Sequence, residues 1–190
     1  MQEVRIMSNI TTQILTATIA APVYVDHYRD ADRVATLCRA CTQYGRSWGC
    51  PPFEYDVLSR LQAYNQVLIV AMKVTPAMSG LTWKEVDTLL RPHRKAFDAR
   101  LLALERQHGG LACHAGSCIS CADGACTRLC NKPCRHEQHM RPSLEAYGFE
   151  IEKTMSQIFN LPLQWSAHNQ CPEYLVYVGA LFHNAHDVEW

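Results

Sequence analysis

The sequence predicts a single domain over residues 1–190, of the α/β or α+β class, with a mixed central sheet, flanking helices and two cysteine-rich loops. Three observations lead to this prediction. A chain of 190 residues is long enough for one domain with a substantial core. Apolar runs of strand length alternate with segments of helical periodicity. Eight of the ten cysteines fall into two short segments that also contain glycine and proline.

The strand predictions rest on apolar runs and on alternation. Val67–Met72 is a continuous apolar run, which is typical of a strand buried on both faces. No pattern marks residues 1–9, which we predict to be a loose start. The predicted strands are Thr11–Val25 with its exit, Asn65–Val74, Leu111–Ala115, and a closing pair formed by Leu163–Ala167 and Tyr174–Phe182.

The helix predictions rest on caps and on 3.6-residue spacing. Thr82 and Glu85 match a capping box that opens a long helix, and Gly109-Gly110 ends it. Pro92 should kink this helix or divide it. The other predicted helices are Asp30–Cys38 with Asp30 as N-cap, Val57–Tyr64, Ser143–Gly148 and Ile151–Phe159.

Composition narrows the classes of function. Lysine plus arginine equals aspartate plus glutamate at 18 each, so net charge gives no argument for binding nucleic acid or an anionic membrane surface. No apolar run approaches the roughly 20 residues that span a bilayer. The apolar stretch Ile10–Ala21 is interrupted by polar residues and does not resemble a secretory signal. We therefore expect a cytoplasmic protein whose cysteines act as ligands rather than as disulfides.

The first cysteine segment is Cys38-x2-Cys41-x8-Cys50, followed by Pro51-Pro52. Cys-x2-Cys spacing lets one tight turn direct two sulfurs at the same metal, and thiolates suit zinc and iron–sulfur clusters. A Cys-Pro step also follows the last ligand of bacterial ferredoxin runs. This segment is predicted to supply three metal ligands.

The second segment holds five cysteines in 17 residues and few large apolar side chains, so it could scarcely fold without a cross-link or a metal. Its cysteines are Cys118, Cys121, Cys126, Cys130 and Cys134. Three ligands plus five suggest two four-cysteine sites with one ligand exchanged between the segments, which must then meet in space. One cluster with spare thiols, or a three-cysteine site with an open position, remains an alternative.

The expected cofactor is one or two iron–sulfur clusters, most simply 4Fe-4S, with zinc as the alternative. Five closely spaced cysteines exceed the four ligands of one zinc ion. The pairs His136/His139 and His183/His186 are more often surface residues than ligands. Cys113 and Cys171 stand apart and are expected to be buried as small apolar residues.

The chain resembles a family of predicted metal-binding proteins, domain of unknown function 2284, found in anaerobic bacteria and archaea. The resemblance is carried by Cys38-Arg39-Ala40-Cys41 with Trp48-Gly49-Cys50-Pro51-Pro52, by Gly116-Ser117-Cys118 with Cys121, and by Pro133-Cys134-Arg135 with Arg141–Gly148. It implies metal binding without naming a reaction. The second segment carries an additional cysteine compared with the family, which leaves the choice between Cys126 and Cys130 open.

Three functions follow from these residues. The first is a redox protein that passes electrons to or from a partner protein or small molecule. The second is an enzyme in which an under-ligated cluster acts on a small substrate, with Arg141, Ser143 and Glu145 as candidate contacts or, more simply, as a capped helix start. The third is a zinc-stabilised binding module. The sequence leaves open both the oligomeric state and whether the protein is an enzyme.

Overall fold

The computed structural model describes residues 4–7, 10–76, 82–121, 125–165 and 171–190. Its strands are β1 (Val4–Met7), β2 (Ile10–Ala20), β3 (Gln66–Pro76), β4 (Leu111–Cys113) and β5 (Leu175–His183). Its α-helices are α1 (Ala21–Tyr28), α2 (Ala31–Ala40), α3 (Val57–Leu61), α4 (Trp83–His108) and α5 (Ile151–Phe159). Two short 3-10 helices cover Thr127–Cys130 and Glu145–Tyr147. The α+β option of the predicted fold class is confirmed.

The five strands form one sheet in the order β1-β2-β3-β5-β4, and all four strand pairs are antiparallel. The expectation of a mixed sheet was wrong at this point. The unit β3–α4–β4 does return the chain in the same direction, but β5 inserts between β3 and β4 and pairs antiparallel with both. The parallel strands β3 and β4 are therefore not neighbours in the sheet, because the last strand of the chain lies between them.

Strand β3 is buried on both faces, as the sequence predicts. Val67, Ile69 and Ala71 belong to a core on one side of the sheet, which also includes Tyr24, Leu144, Phe149 and Met155. Leu68, Val70 and Val74 belong to a second core, formed against Val86, Leu90, Phe97 and Leu101 of α4. The sheet is thus covered by α1 and α5 on one side and by α4 on the other.

The structure confirms the predicted caps. Asp30 caps α2 by accepting a hydrogen bond from the Arg33 N–H at 3.0 Å. Thr82 and Glu85 form the capping box at the start of α4, and Gly109 ends that helix in the left-handed conformation with φ 68°. Pro92 lies within α4 but does not divide it, since the helix runs unbroken for 26 residues.

Three strand predictions need correction. Residues 4–7 form β1 against β2 instead of a loose start. The strand predicted to run on to Val25 stops at Ala20, because Pro22 occupies the first turn of α1, where its missing N–H costs no helical hydrogen bond. Residues 163–165 form no strand, since β3 and β4 take up both edges of β5. Residues 166 and 167 of that prediction lie outside the described residues.

The packing of α4 on β5 requires a glycine at position 179. A Cβ atom there would lie 2.4 Å from Cδ1 of Leu101 and 2.8 Å from the carbonyl oxygen of Cys113. We expect Gly179→Ala to lower the free energy of unfolding by about 1–3 kcal/mol through overpacking, measured by denaturant titration. Thr18→Ala, at an exposed position of β2, is the control and should stay within about 0.5 kcal/mol. Equal stability of the two variants would contradict this account.

Candidate metal centre

The first cysteine segment is a loop that folds back on the end of α2. Cys38 lies in the last turn of α2, and the N–H of Cys41 caps the helix by donating to the Cys38 carbonyl at 3.0 Å. Gly45, with φ 68°, donates its N–H to the Pro51 carbonyl at 2.8 Å, which closes the loop. Cys50 is thereby returned to the neighbourhood of the two cysteines at the helix end.

The thiols of this segment act on one another electrostatically. Burial, followed by the thiolate charges of Cys41 and Cys38 and then Cys118, raises the pKa of Cys50 to about 11. Burial and Cys41 also raise the pKa of Cys38. A coordinated cation would reverse this effect, since metal binding deprotonates a thiol.

The second segment brings together four of its five cysteines. Burial and the charges of Cys118, Cys126 and Cys121 raise the pKa of Cys134, against a hydrogen bond from the His136 N–H. Cys130, in contrast, is exposed at the end of the 3-10 helix Thr127–Cys130. Of the two cysteines that the sequence left open, Cys126 is therefore the one whose charge acts on the rest of the group.

The two cysteine segments meet, as the ligand count predicts. Arg128 donates from its guanidinium to the carbonyls of Ser47 at 2.8 Å, Cys50 at 2.5 Å and Pro52 at 2.5 Å. Its guanidinium also stacks 5.3 Å from the ring centroid of Trp48. The Trp48 indole in turn donates to the Lys132 carbonyl at 3.1 Å.

Cys118, the first cysteine of the second segment, lies close to the first segment. A Cβ atom on Gly49 would lie 3.1 Å from the Cβ of Cys118, so the absence of a side chain at position 49 permits the approach. The charge of Cys118 acts on Cys50 in the first segment and on Cys134 in the second. Among the described residues, no group of three or more Cys, His, Asp or Glu side chains is placed so that it could hold a metal ion.

Helix α4 holds the start of the second segment from the other side. Arg94 donates to the carbonyls of Ala115 and Ser117, and Asp98 accepts the Ala115 N–H at 3.0 Å. Burial raises the pKa of Asp98 to about 6, against the opposing effects of that N–H and of Arg94. These contacts fix the backbone that leads to Cys118.

Glu105, further along α4, forms a second set of polar contacts with the residues around the second segment. Glu105 accepts the Ala112 N–H at 2.7 Å and pairs with the guanidinium of Arg141. Burial alone would raise the pKa of Glu105, but the bonds from Arg141 and Ala112 lower it below its usual range. Arg141 is thus occupied by Glu105, and Ser143 caps its turn by accepting the Ala146 N–H at 3.2 Å. Ser143 thus has the capping role that was the simpler prediction, whereas the ion pair of Arg141 with Glu105 was not predicted.

Several residues of the site carried no signal in the sequence. Arg128 and Arg94 are ordinary surface-type residues whose acceptors lie far away along the chain. Glu145 has a carboxyl oxygen buried without a hydrogen-bond partner in the described structure, and its carbonyl oxygen lies 4.0 Å from the Cys38 thiol. Burial raises the pKa of the Glu145 carboxyl. Glu145 was a candidate contact from the sequence, but the burial of its carboxyl group and its approach to Cys38 could not be predicted.

The remaining cysteines and histidines divide between core and surface. Cys113 is fully buried in β4, as expected, whereas Cys171 is half-buried against the α4 core. His183 is buried in β5, with its Nδ1 3.1 Å from the Ala185 carbonyl oxygen, and His186 is exposed. His136 and His139 lie beside Cys118, along the wall of a cavity.

His114 connects β4 to the loop that precedes Cys118. Its backbone N–H donates to the Pro142 carbonyl at 3.0 Å, and only 8% of the residue is exposed. Burial, together with the positive charges of Arg141 and Arg94, lowers the pKa of its imidazole to about 4 from an ordinary value of 6.5. The ring is therefore neutral in the folded protein at neutral pH.

We expect the stability that depends on neutral His114 to be complete above pH 6.5 and to be lost as the pH falls toward 4. In this pH range the His114 imidazole binds a proton in the unfolded chain but stays neutral in the folded chain. Between pH 7.5 and 5 the wild type should lose about 2 kcal/mol more stability than His114→Gln. Denaturant unfolding at both pH values measures the difference. Parallel loss in the two proteins would show that His114 does not titrate as described.

We also expect Arg128→Gln to open the junction between the cysteine segments, since a hydrogen bond to a charged group contributes about 1.5–3 kcal/mol. The free energy of unfolding should fall by about 2 kcal/mol, and the amides of residues 47–50 should exchange faster with deuterium. Lys132→Gln is the matched control, because only the backbone carbonyl of Lys132 takes part in the junction. Equal exchange rates in the two variants would argue against the clamp.

No helix in the described part of the chain is both long and apolar enough to cross a membrane. Comparison with known proteins gives one match. Neither a curated protein nor a solved structure matches the chain. The model of the family described as predicted metal-binding protein (DUF2284) matches residues 22–182. This range contains both cysteine segments and most of the fold, and the chain belongs to that family of predicted metal-binding proteins.

Proposed function

We propose that this protein carries one or two cysteine-ligated iron–sulfur clusters, most simply 4Fe-4S, and acts in electron transfer. The observation that supports the proposal is that the charge of Cys118 acts on Cys50, in the segment with Cys38 and Cys41, and on Cys134, in the segment with Cys121 and Cys126. Together these seven thiols exceed what a single zinc ion takes. A cluster bound there would supply an exchangeable electron.

The thiols of both groups lack the cation that their chemistry calls for. Burial and mutual repulsion raise the pKa values of Cys38, Cys50 and Cys134. The Arg128 guanidinium, which lies at the junction, donates to the carbonyls of Ser47, Cys50 and Pro52. Iron would supply the missing positive charge, and binding it would stabilise the fold.

A second candidate function follows from the count of thiols. If Cys118 completes the group of Cys121, Cys126 and Cys134, the first segment keeps three thiols and an open coordination position. Such a centre favours an enzyme that acts on a small substrate over a simple electron carrier. Zinc in a binding module is the third candidate, in which the metal contributes folding energy alone.

The proposal places the protein in a reducing cytoplasm, where thiolates persist as ligands, and pairs it with a redox protein or small molecule. It includes no role for nucleic acid, in keeping with equal numbers of acidic and basic residues. It likewise includes no attachment to a membrane.

Iron and acid-labile sulfide, measured on anaerobically purified protein, test this proposal. Two four-iron clusters would give about eight of each per chain, a brown colour and an electron paramagnetic resonance signal on reduction. Cys118→Ser should lower the iron content most, because it removes the thiol shared by both groups. Cys171→Ser, at a half-buried position outside both segments, is the matched control and should keep full iron.

Cys130→Ser separates the alternatives for the second segment. It should retain full iron content if Cys126 is the ligand and Cys130 is spare. Stoichiometric zinc with no sulfide would overturn the iron–sulfur proposal and leave the binding module. Full iron in Cys118→Ser would show that the two groups do not share this residue.

A further inference from the structure

A cavity of about 450 Å³ lies between α4 and the second cysteine segment. Lys95, Leu102 and Arg106 of α4 line one wall, and Cys118 and Ile119 line the opposite wall. The volume is within the range of sites that bind small molecules, about 300–1,000 Å³. Since Cys118 belongs to the proposed metal centre, a molecule bound in this cavity would lie beside that centre.

The charge of this cavity is positive after its ion pairs are counted. Asp98 lies on the wall but pairs with Arg94, whose Nε is 3.9 Å from the Asp98 carboxylate. Lys95 and Arg106 have no carboxylate partner among the residues that the structure describes. Arg106 makes one long hydrogen bond, at 3.3 Å, to the Gln138 carbonyl and keeps its other donors. Two cations thus face the cavity, which favours an anion.

His114 supplies an independent observation. It lines the cavity with 8% of its surface exposed, and its Nε2 is buried with no hydrogen-bond partner in the described part of the chain. A buried polar atom without a partner is costly, so a ligand that accepts a hydrogen bond from Nε2 would relieve that cost.

Part of the remaining wall is apolar, although Ser120, His136 and His139 also line the cavity. Ala99, Leu102 and Ile119 contribute hydrocarbon surface to the cavity. An inorganic anion would leave this surface and most of the volume unused. The combination calls for a small molecule with one anionic group and an apolar remainder.

We infer that this cavity binds a small organic acid, whose carboxylate is held by Lys95, Arg106 and the His114 imidazole and whose apolar part packs on Leu102 and Ile119. The inference rests on the proposed function only because metal binding at Cys118 would order one wall of the cavity. It does not depend on which metal is bound. The inference gives the proposed redox centre or enzyme a class of small-molecule substrate or effector.

Calorimetric titration of the anaerobically purified, metal-loaded full chain with benzoate tests the inference. Saturable binding is expected, with weaker binding of benzyl alcohol, which lacks the charge, and of sulfate, which lacks the apolar body. Lys95→Gln with Arg106→Gln should weaken benzoate at least tenfold. Lys84→Gln removes a cation of α4 that does not line the cavity and should have no effect. If both variants lost the same affinity for benzoate, the effect would come from net charge alone, and the proposed binding site would be wrong.

Two substitutions at His114 test the role of the ring. His114→Leu should weaken benzoate several-fold, whereas His114→Gln, which keeps a donor near the position of Nε2, should retain most of the affinity. Metal content and melting temperature are measured for each variant, so that a failure to fold is recognised. If iron is bound but neither benzoate nor butyrate binds below about 10 mM, the inference fails and the proposed function stands. If benzoate binds to protein that carries zinc, the proposed function fails and the inference stands.

Discussion

The contact between Arg128 and the first cysteine loop is the interaction on which the proposed metal centre depends. Three carbonyls that lie 76 to 81 residues away in the sequence accept hydrogen bonds from one guanidinium. The acceptors belong to a loop that carries Cys50 and the donor belongs to a loop that carries Cys126 and Cys130. Neither loop has an apolar core of its own, so their mutual position rests on this clamp, on the Trp48 indole, and on any metal that joins them.

Helix α4 holds the backbone that leads to Cys118 from the opposite side of the junction between the two cysteine segments. Its apolar face, with Leu90, Phe97 and Leu101, packs on the sheet, and its polar residues Arg94 and Asp98 hold the backbone before Cys118. One helix thus ties the rigid sheet to the loop that would bind metal. Because the polar contacts are hydrogen bonds to backbone atoms, they position the chain without depending on neighbouring side chains. A loop held in this way can present cysteines at a defined place even though its own sequence is short of apolar groups.

Much of the local structure could be predicted because its causes are local. The apolar run Val67–Met72 and the capping box at Thr82 each depend on residues within one element. The insertion of β5 between β3 and β4 could not be predicted, because strand order is decided by which edges remain free once the sheet assembles. The same holds for Arg128 and Arg94, since an arginine reveals nothing in sequence about which distant carbonyl it will reach. The cysteine groups were visible from spacing, but the exposure of Cys130 and the effect of Cys126 on Cys134 depend on the conformation of the loop.

The electrostatics of the thiols connect metal binding to folding. Burying several thiols side by side raises their pKa values, so the folded chain without a cation keeps them protonated. Metal binding must then release protons that the fold itself has made harder to remove, and the affinity for metal includes that cost. This cost applies to any metal that the thiols bind, whichever metal it is, and the metal must offset it through the strength of its bonds to the thiolates.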